Sequence, residues 1–216
     1  TISLSYDLSD DVMIYGGYSR GYKAGGYNVD RSGFNIRPST TAVGSCAVAT
    51  PTRVCADDLA FEPEFTDAYE IGIKSTIFGG TTTLNLTGFY QQITDYQSNN
   101  FNGFNFITRN IPEAISQGVE LDILSRPNDR FTFQGGASYN EAYYDSTVVF
   151  NPASPASNTI YQGQSFDHAP LWSVTAGVGY DHPISNNLEA NFYLDARHNS
   201  GYRNQTLSRN PATDEE

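Results

Sequence analysis

The sequence predicts an all-β protein, an antiparallel meander of about eight long strands forming part of a transmembrane β-barrel. Three observations predict it. Strict alternation of apolar and polar residues recurs eight times along the chain. Charged residues keep to one side of that alternation. The connections between runs are short and long by turns.

The runs, in order, begin with Ile2, Leu4, Tyr6 and Leu8, with Ser3, Ser5 and Asp7 between them. Val12, Ile14, Gly16 and Tyr18 form the second, and Tyr69, Ile71, Ile73, Ser75 and Ile77 the third. The fourth is Leu84, Leu86, Gly88 and Tyr90, and the fifth is Val119, Leu121 and Ile123. Phe131, Phe133, Gly135, Ala137 and Tyr139 make the sixth. Trp172, Val174, Ala176, Val178 and Tyr180 make the seventh, and Leu188, Ala190, Phe192, Leu194 and Ala196 the eighth. A period of two over such lengths is the strand signal. Each strand offers roughly 9–13 residues, enough for a tilted strand to cross a bilayer, whereas strands of soluble proteins average about 5–6.

Glu70, Lys74, Glu120, Asp122, Glu189, Asp195 and Arg197 all stand opposite the apolar series. A Lys or Arg facing lipid at the midplane would cost about 2–4 kcal/mol, which explains the sorting. The short connections are Ser9-Asp10-Asp11, Gly79-Gly80, Pro127 to Asp129 and Asp181 to Asn187. Long ones are expected from Tyr22 to Thr66, Gln97 to Ala114, Asp145 to Asp167 and Gly201 onward. Short periplasmic turns and long extracellular loops have this asymmetry. Aromatics near the strand ends, among them Tyr18, Tyr69, Tyr90, Tyr139, Trp172 and Tyr180, fit interfacial girdles.

Composition agrees. Tyr and Phe number 15 and 13 against one Met and one Trp, and charged residues make up only 17%. With 38% hydrophobic residues the chain is too apolar for a disordered acidic tail, and its net charge of -12 speaks against a nucleic-acid partner. No apolar run is long enough for a transmembrane helix. The negative mean hydropathy is compatible with a barrel, in which only alternate residues meet lipid. Cys46 and Cys55, close together in one polar stretch, read as a local disulfide of an oxidising compartment, stabilising that loop by at most about 2–3 kcal/mol, with two unpaired thiols as the alternative. The chain opens at Thr1 in an alternating run, without a signal peptide, and stops in a polar stretch at Glu216, so it reads as a piece of a longer protein.

Several segments resemble a known family. Tyr15-Gly16-Gly17-Tyr18-Ser19-Arg20-Gly21-Tyr22-Lys23-Ala24-Gly25-Gly26-Tyr27-Asn28 is similar to a strand and loop entrance in the barrel of TonB-dependent outer-membrane receptors. Phe61-Glu62-Pro63-Glu64, followed by Tyr69-Glu70-Ile71-Gly72-Ile73-Lys74, resembles a second barrel signature of that family. Asn85 to Tyr90, Gln117 to Leu121, and Ala169-Pro170 with Trp172-Ser173 match three more, in the expected order. The resemblance implies that residues 1–216 are part of a barrel of about 22 strands, with a plug domain elsewhere in the protein. It implies an outer-membrane location in a Gram-negative bacterium, energisation by the TonB, ExbB and ExbD complex, and uptake of a bulky nutrient such as a ferric siderophore. Since the chain has only about eight strands, it is expected as an open, curved sheet with unpaired edges.

Catalysis is not expected. Gly17-Tyr18-Ser19-Arg20-Gly21 fits the nucleophile-elbow pattern, but that motif needs a helix directly after it, and Gly21 to Gly33 has no helical period. His168, His182 and His198 have no metal-like spacing, and no cofactor is implied. The acidic residues Asp57, Asp58, Glu62 and Glu64 read as a solvated loop. Ligand capture falls instead to loop aromatics and rim cations. Candidates are Arg20, Tyr22, Lys23, Tyr27 and Phe34 on one loop, and Phe101, Phe104 and Phe106 on another. Aromatic platforms hold bulky ligands by stacking, and cations meet anionic groups. Two other readings share the alternation: a passive porin-like barrel, and a soluble β-sandwich that binds carbohydrate. Strand length and loop asymmetry argue against the sandwich.

Overall fold

A computed structural model describes residues 1–28, 35–36, 53–54, 60–101, 106–149, 159–160 and 162–203. Its framework is one sheet of eight antiparallel strands in simple meander order. They are β1 (Ile2–Ser9), β2 (Val12–Lys23), β3 (Glu64–Ile77) and β4 (Thr82–Phe101). There follow β5 (Phe106–Asn128), β6 (Phe131–Tyr144), β7 (Trp172–Ser185) and β8 (Leu188–Asn199). All eight alternating runs lie inside these strands, and β1 and β8 form the free edges of an open sheet.

Three connections differ from expectation. The stretch from Gln97 to Ala114 is not a loop. β4 and β5 continue through it as one long hairpin, paired from Gln97↔Asn110 to Phe101↔Phe106. Polar residues predominate in it, and its apolar ones, Ile111 and Ala114 among them, are spaced out of step with a period of two, so the strand signal fades while the ladder persists. At the other end, Pro127 and the segment Asp181–Ser185 belong to strands, leaving two-residue turns at Asp129-Arg130 and Asn186-Asn187. Pro127 and, within that segment, Pro183 sit beside register shifts, where a bulge tolerates the missing N–H.

Register assigns the faces, because residues directly opposite each other in a ladder point to the same side. Ile14↔Ile73, Ile73↔Leu86, Leu86↔Leu121, Leu121↔Ala137, Ala137↔Val174 and Val174↔His198 trace one side from β2 to β8. That side is the apolar series. It is not covered: Ile71 is 71% exposed and Leu194 69%, with Val119, Leu121, Phe133 and Val174 exposed as well. A sandwich would have buried them. The opposite side carries Glu70, Lys74, Glu120, Asp122, Asp195 and Arg197 by the same ladders.

Aromatic rows border the apolar band. On one margin Tyr18 and Tyr69 have ring centroids 5.1 Å apart, Tyr69 and Tyr90 6.4 Å, and Tyr139 and Trp172 5.0 Å. On the other, nearer the short turns, Phe131 meets Tyr180 at 4.7 Å and Tyr180 meets Phe192 at 6.5 Å. The polar side has its own packing. Tyr15 lies flat across Gly72, where an added Cβ would stand 2.5 Å from the ring, and its hydroxyl shares a 2.8 Å hydrogen bond with Thr87 on β4. One side chain thus ties three strands together. Lys74 Nζ sits 5.2 Å from the centre of the same ring.

Candidate functional site

Among the described residues, all the buried ones but Thr82 lie on the rim beyond the Tyr18–Tyr69–Tyr90 row. Among the described residues the buried hydrophobic side chains are Ile111, Ala114, Ile115, Ala142, Tyr144 and Ile160, all beyond that row. Ile111, Ala114, Tyr144 and Ile160 form one cluster, with Ile93, Tyr96, Val148 and Phe166 packed against it. The segment after β6 folds back to build it. Gly163 N–H donates to Tyr144 O, Tyr144 N–H to Gln164 O, and Phe166 N–H to Ala142 O. This segment extends the sheet beside the end of β6, where β7 has not yet begun.

The cluster requires a change of phase in the long hairpin. Ile93 and Tyr96 are three apart on β4, and Ile111 and Ala114 three apart on β5, yet all four share one cluster. In a regular strand such pairs face opposite ways. Asp95 adopts a left-handed backbone (φ 55°) between the first pair, and Pro112, which has no N–H for the ladder, lies between the second. Tyr96 then meets Tyr144 at 5.8 Å and Phe166 at 5.2 Å. Burial pushes the Tyr144 hydroxyl well above the ordinary tyrosine value, with Tyr96 and Asp167 adding to the shift. Burial, then Glu64 and Asp167, raise Tyr96 as well. Neither phenol is suited to ionise, so the cluster is structural.

A second assembly ties the longest connection to the hairpin. Its two stems pair with each other, Gly26↔Phe61 and Tyr27↔Ala60. Glycine is needed at Gly25, where an added Cβ would stand 2.6 Å from Phe61 O, and at Gly26 the tip of the Phe61 ring covers the backbone, 2.8 Å from where a Cβ would be. Gln97 on β4, only 7% exposed, reaches both stems. Its backbone N–H donates to Glu64 Oε2 at 2.8 Å, and its amide donates to Ala24 O and Glu62 O, each at 3.0 Å. Asn110 on β5 accepts from Glu62 N–H at 2.7 Å and donates to Glu62 O at 3.0 Å and Asp95 O at 2.7 Å. Asn28 exchanges two bonds with the backbone of Thr108, 2.8 and 2.7 Å long. The glycine-rich segment and the Phe-Glu-Pro-Glu segment singled out in the sequence are thus halves of one knot.

The candidate capture residues are distributed around this rim. Arg20, two residues beyond Tyr18 on the apolar side of β2, is in register with Asp67, 3.6 Å from its carboxylate and 5.1 Å from the centre of the Phe65 ring. Tyr22 shares that side, in register with Phe65, and is 76% exposed. Lys23 faces the other way, in register with Glu64. Tyr27 stands on a stem and is 69% exposed. Phe101 and Phe106 are paired at the far end of the hairpin. Phe34, Phe104, Cys46 and Cys55 lie outside the described residues, as do Asp57 and Asp58. The fold joins Tyr27 to the hairpin end through its neighbour Asn28. It leaves Arg20 occupied with Asp67, whose Oδ1 also accepts from Tyr18 Oη at 2.6 Å. Ser19 of the elbow-like motif is in mid-strand, with β2 continuing to Lys23. Gln97 and Asn110 escaped sequence reasoning, their one trace being polarity in a stretch taken for a loop, and Asn28 was legible only as the last residue of a family-like segment.

Comparison with known proteins completes the picture. A family model described as "TonB dependent receptor-like, beta-barrel" matches residues 1–214. Among solved structures, the ferric yersiniabactin uptake receptor FyuA from Yersinia pestis aligns at TM-score 0.61 and 19% identity over 90% of this chain and 24% of its own. BauA, the ferric preacinetobactin receptor from Acinetobacter baumannii, aligns at 0.59 and 15%, over 92% and 25%. The copper transporter OprC aligns at 0.61 and 13%, over 96% and 27%. At these identities the likeness concerns the fold, and the chain spans about a quarter of the length of each. An open meander with one uncovered apolar side is what a sector of such a barrel looks like when seen alone. The chain belongs to the TonB-dependent receptor β-barrel family, whose members are outer-membrane proteins of Gram-negative bacteria and not enzymes.

Proposed function

We propose that this chain is the wall and extracellular rim of a receptor that actively takes up a bulky, scarce nutrient, a ferric siderophore or similar metal chelate. The observation that carries the reading is the uncovered apolar band with an aromatic row on each margin and a polar opposite side, in a chain of this family. Hydrocarbon against one side and water against the other is the environment such a sheet requires. FyuA and BauA, which share the fold, are described as receptors for ferric complexes. Energy would come from the TonB, ExbB and ExbD complex, acting through a region outside this chain.

In this reading Lys23, Tyr27, Phe101 and Phe106, with Phe34 and Phe104, supply stacking and charge at the mouth. Arg20 and Tyr22 stand to the outside of it, and Cys46 and Cys55 brace the longest loop. The test is growth of a strain deleted for the full-length gene on a panel of ferric chelates, with and without functional TonB. Loss of growth on one chelate class, equally severe in the TonB-deficient strain, is the expected result. Unimpaired growth on every chelate overturns the assignment to metal uptake.

A further inference from the structure

We propose that Gln97 is a positioning residue for ligand capture. It holds both stems of the longest extracellular connection on the β4–β5 hairpin, so that stems and hairpin present one rigid binding surface. This rests on the uptake reading above. The argument is one of donors and acceptors. Gln97 is buried, and its three nitrogen-bound hydrogens meet acceptors from three places: the Glu64 carboxylate, Ala24 O on the first stem and Glu62 O on the second. Lys23 O lies a further 3.5 Å from the same amide nitrogen. The buried Gln97 amide must find its acceptors within the protein, and the stem carbonyls supply them, so the stems are held where Gln97 is. Asn110 grips Glu62 from the facing strand, and Asn28 extends the junction to Thr108, two residues from Phe106. Tyr27 and the hairpin end therefore keep a fixed separation.

The experiment uses the full-length receptor with two substitutions. Gln97→Glu keeps the shape, removes the amide donors and sets a carboxylate beside Glu64. Gln97→Ala removes the whole amide. Hydrogen exchange is read at residues 24–28 and 60–64, and uptake kinetics are read with radio-iron-labelled catecholate, hydroxamate and carboxylate siderophores. Exchange at both stems should quicken at least tenfold in both variants, with the heat-modifiable gel mobility of the barrel unchanged. Half-saturating siderophore concentration should rise about tenfold, while the maximal rate stays within twofold. Unchanged stem exchange overturns the proposal. So does a lower maximal rate with unaltered half-saturation, the signature of lost receptor and not of a mispositioned surface. If wild type transports none of the siderophores, the uptake reading fails by itself. The stem exchange then still decides whether Gln97 holds the stems.

Discussion

Between the two aromatic rows, Ile71, Leu86, Leu121, Val174 and Leu194 all stand exposed on one side of a single layer. Beyond the Tyr18–Tyr69–Tyr90 row, Ile111, Ala114, Tyr144 and Ile160 are wrapped by their own chain, and the amide nitrogens of Gln97 and Asn110 donate to backbone carbonyls. The band has no core because its partners are external: lipid on one side and the receptor's interior on the other. The rim meets water on all sides and must build a core for itself. Stability is therefore local to each region, and a substitution should be felt in one without reaching the other.

The largest effect separating the two is expected from Ile111→Ala, which empties a fully buried site at about 2–5 kcal/mol. Hydrogen exchange around Tyr144 and Gln164 should quicken, while the barrel's resistance to heat in detergent stays as it was. Loss of heat resistance would show that rim and band unfold together. Next is Ile71→Arg, at about 2–4 kcal/mol in a lipid-facing band, against a small effect for Glu70→Arg one residue away. Denaturant titration of full-length receptor refolded into vesicles measures both, and equal costs would break the assignment of faces. Smaller still is Gly72→Ala, which pushes Tyr15 off its seat and costs about 1 kcal/mol through the bond to Thr87. Gly88→Ala on the apolar side, where the nearest atom is 3.8 Å from an added Cβ, should stay within about 0.5 kcal/mol in the same titration.

The smallest effect at neutral pH is that of Tyr144→Phe, and alkali reveals it. Burial raises Tyr144 above the unfolded value of 10.0. Its contribution to rim stability is then complete below that value and is lost as pH climbs through the folded one. Protease nicking of the rim should rise with alkali in wild type and rise less in the variant. An equal response would place the alkaline weakness elsewhere.

The eight strands were legible because lipid and water on opposite sides of one layer impose a period of two. Where that contrast ends, so does the signal. Gln97 to Ala114 is mostly polar, with Ile111 and Ala114 out of step, and reads as a loop, although its ladder is continuous. Pro127 and Pro183 read as turn residues, although each is held at a bulge beside the turn. The glycine-rich and Phe-Glu-Pro-Glu segments were visible as family marks, but their meeting was not. It depends on Gln97 and Asn110, amides whose partners lie tens of residues away. Tyr96 was hidden for another reason: a left-handed Asp95 reverses its direction, and no periodicity announces that.

The reversal at Asp95 and Pro112 has a consequence for how such receptors diversify. Because side-chain direction is reset there, the sequence above the joint is released from the in-and-out rhythm demanded by the bilayer. In this chain the rim can be lengthened or shortened above Thr94 and Glu113 without turning the lipid-facing residues inside out. A joint of two residues thus lets recognition evolve on one clock and membrane anchorage on another.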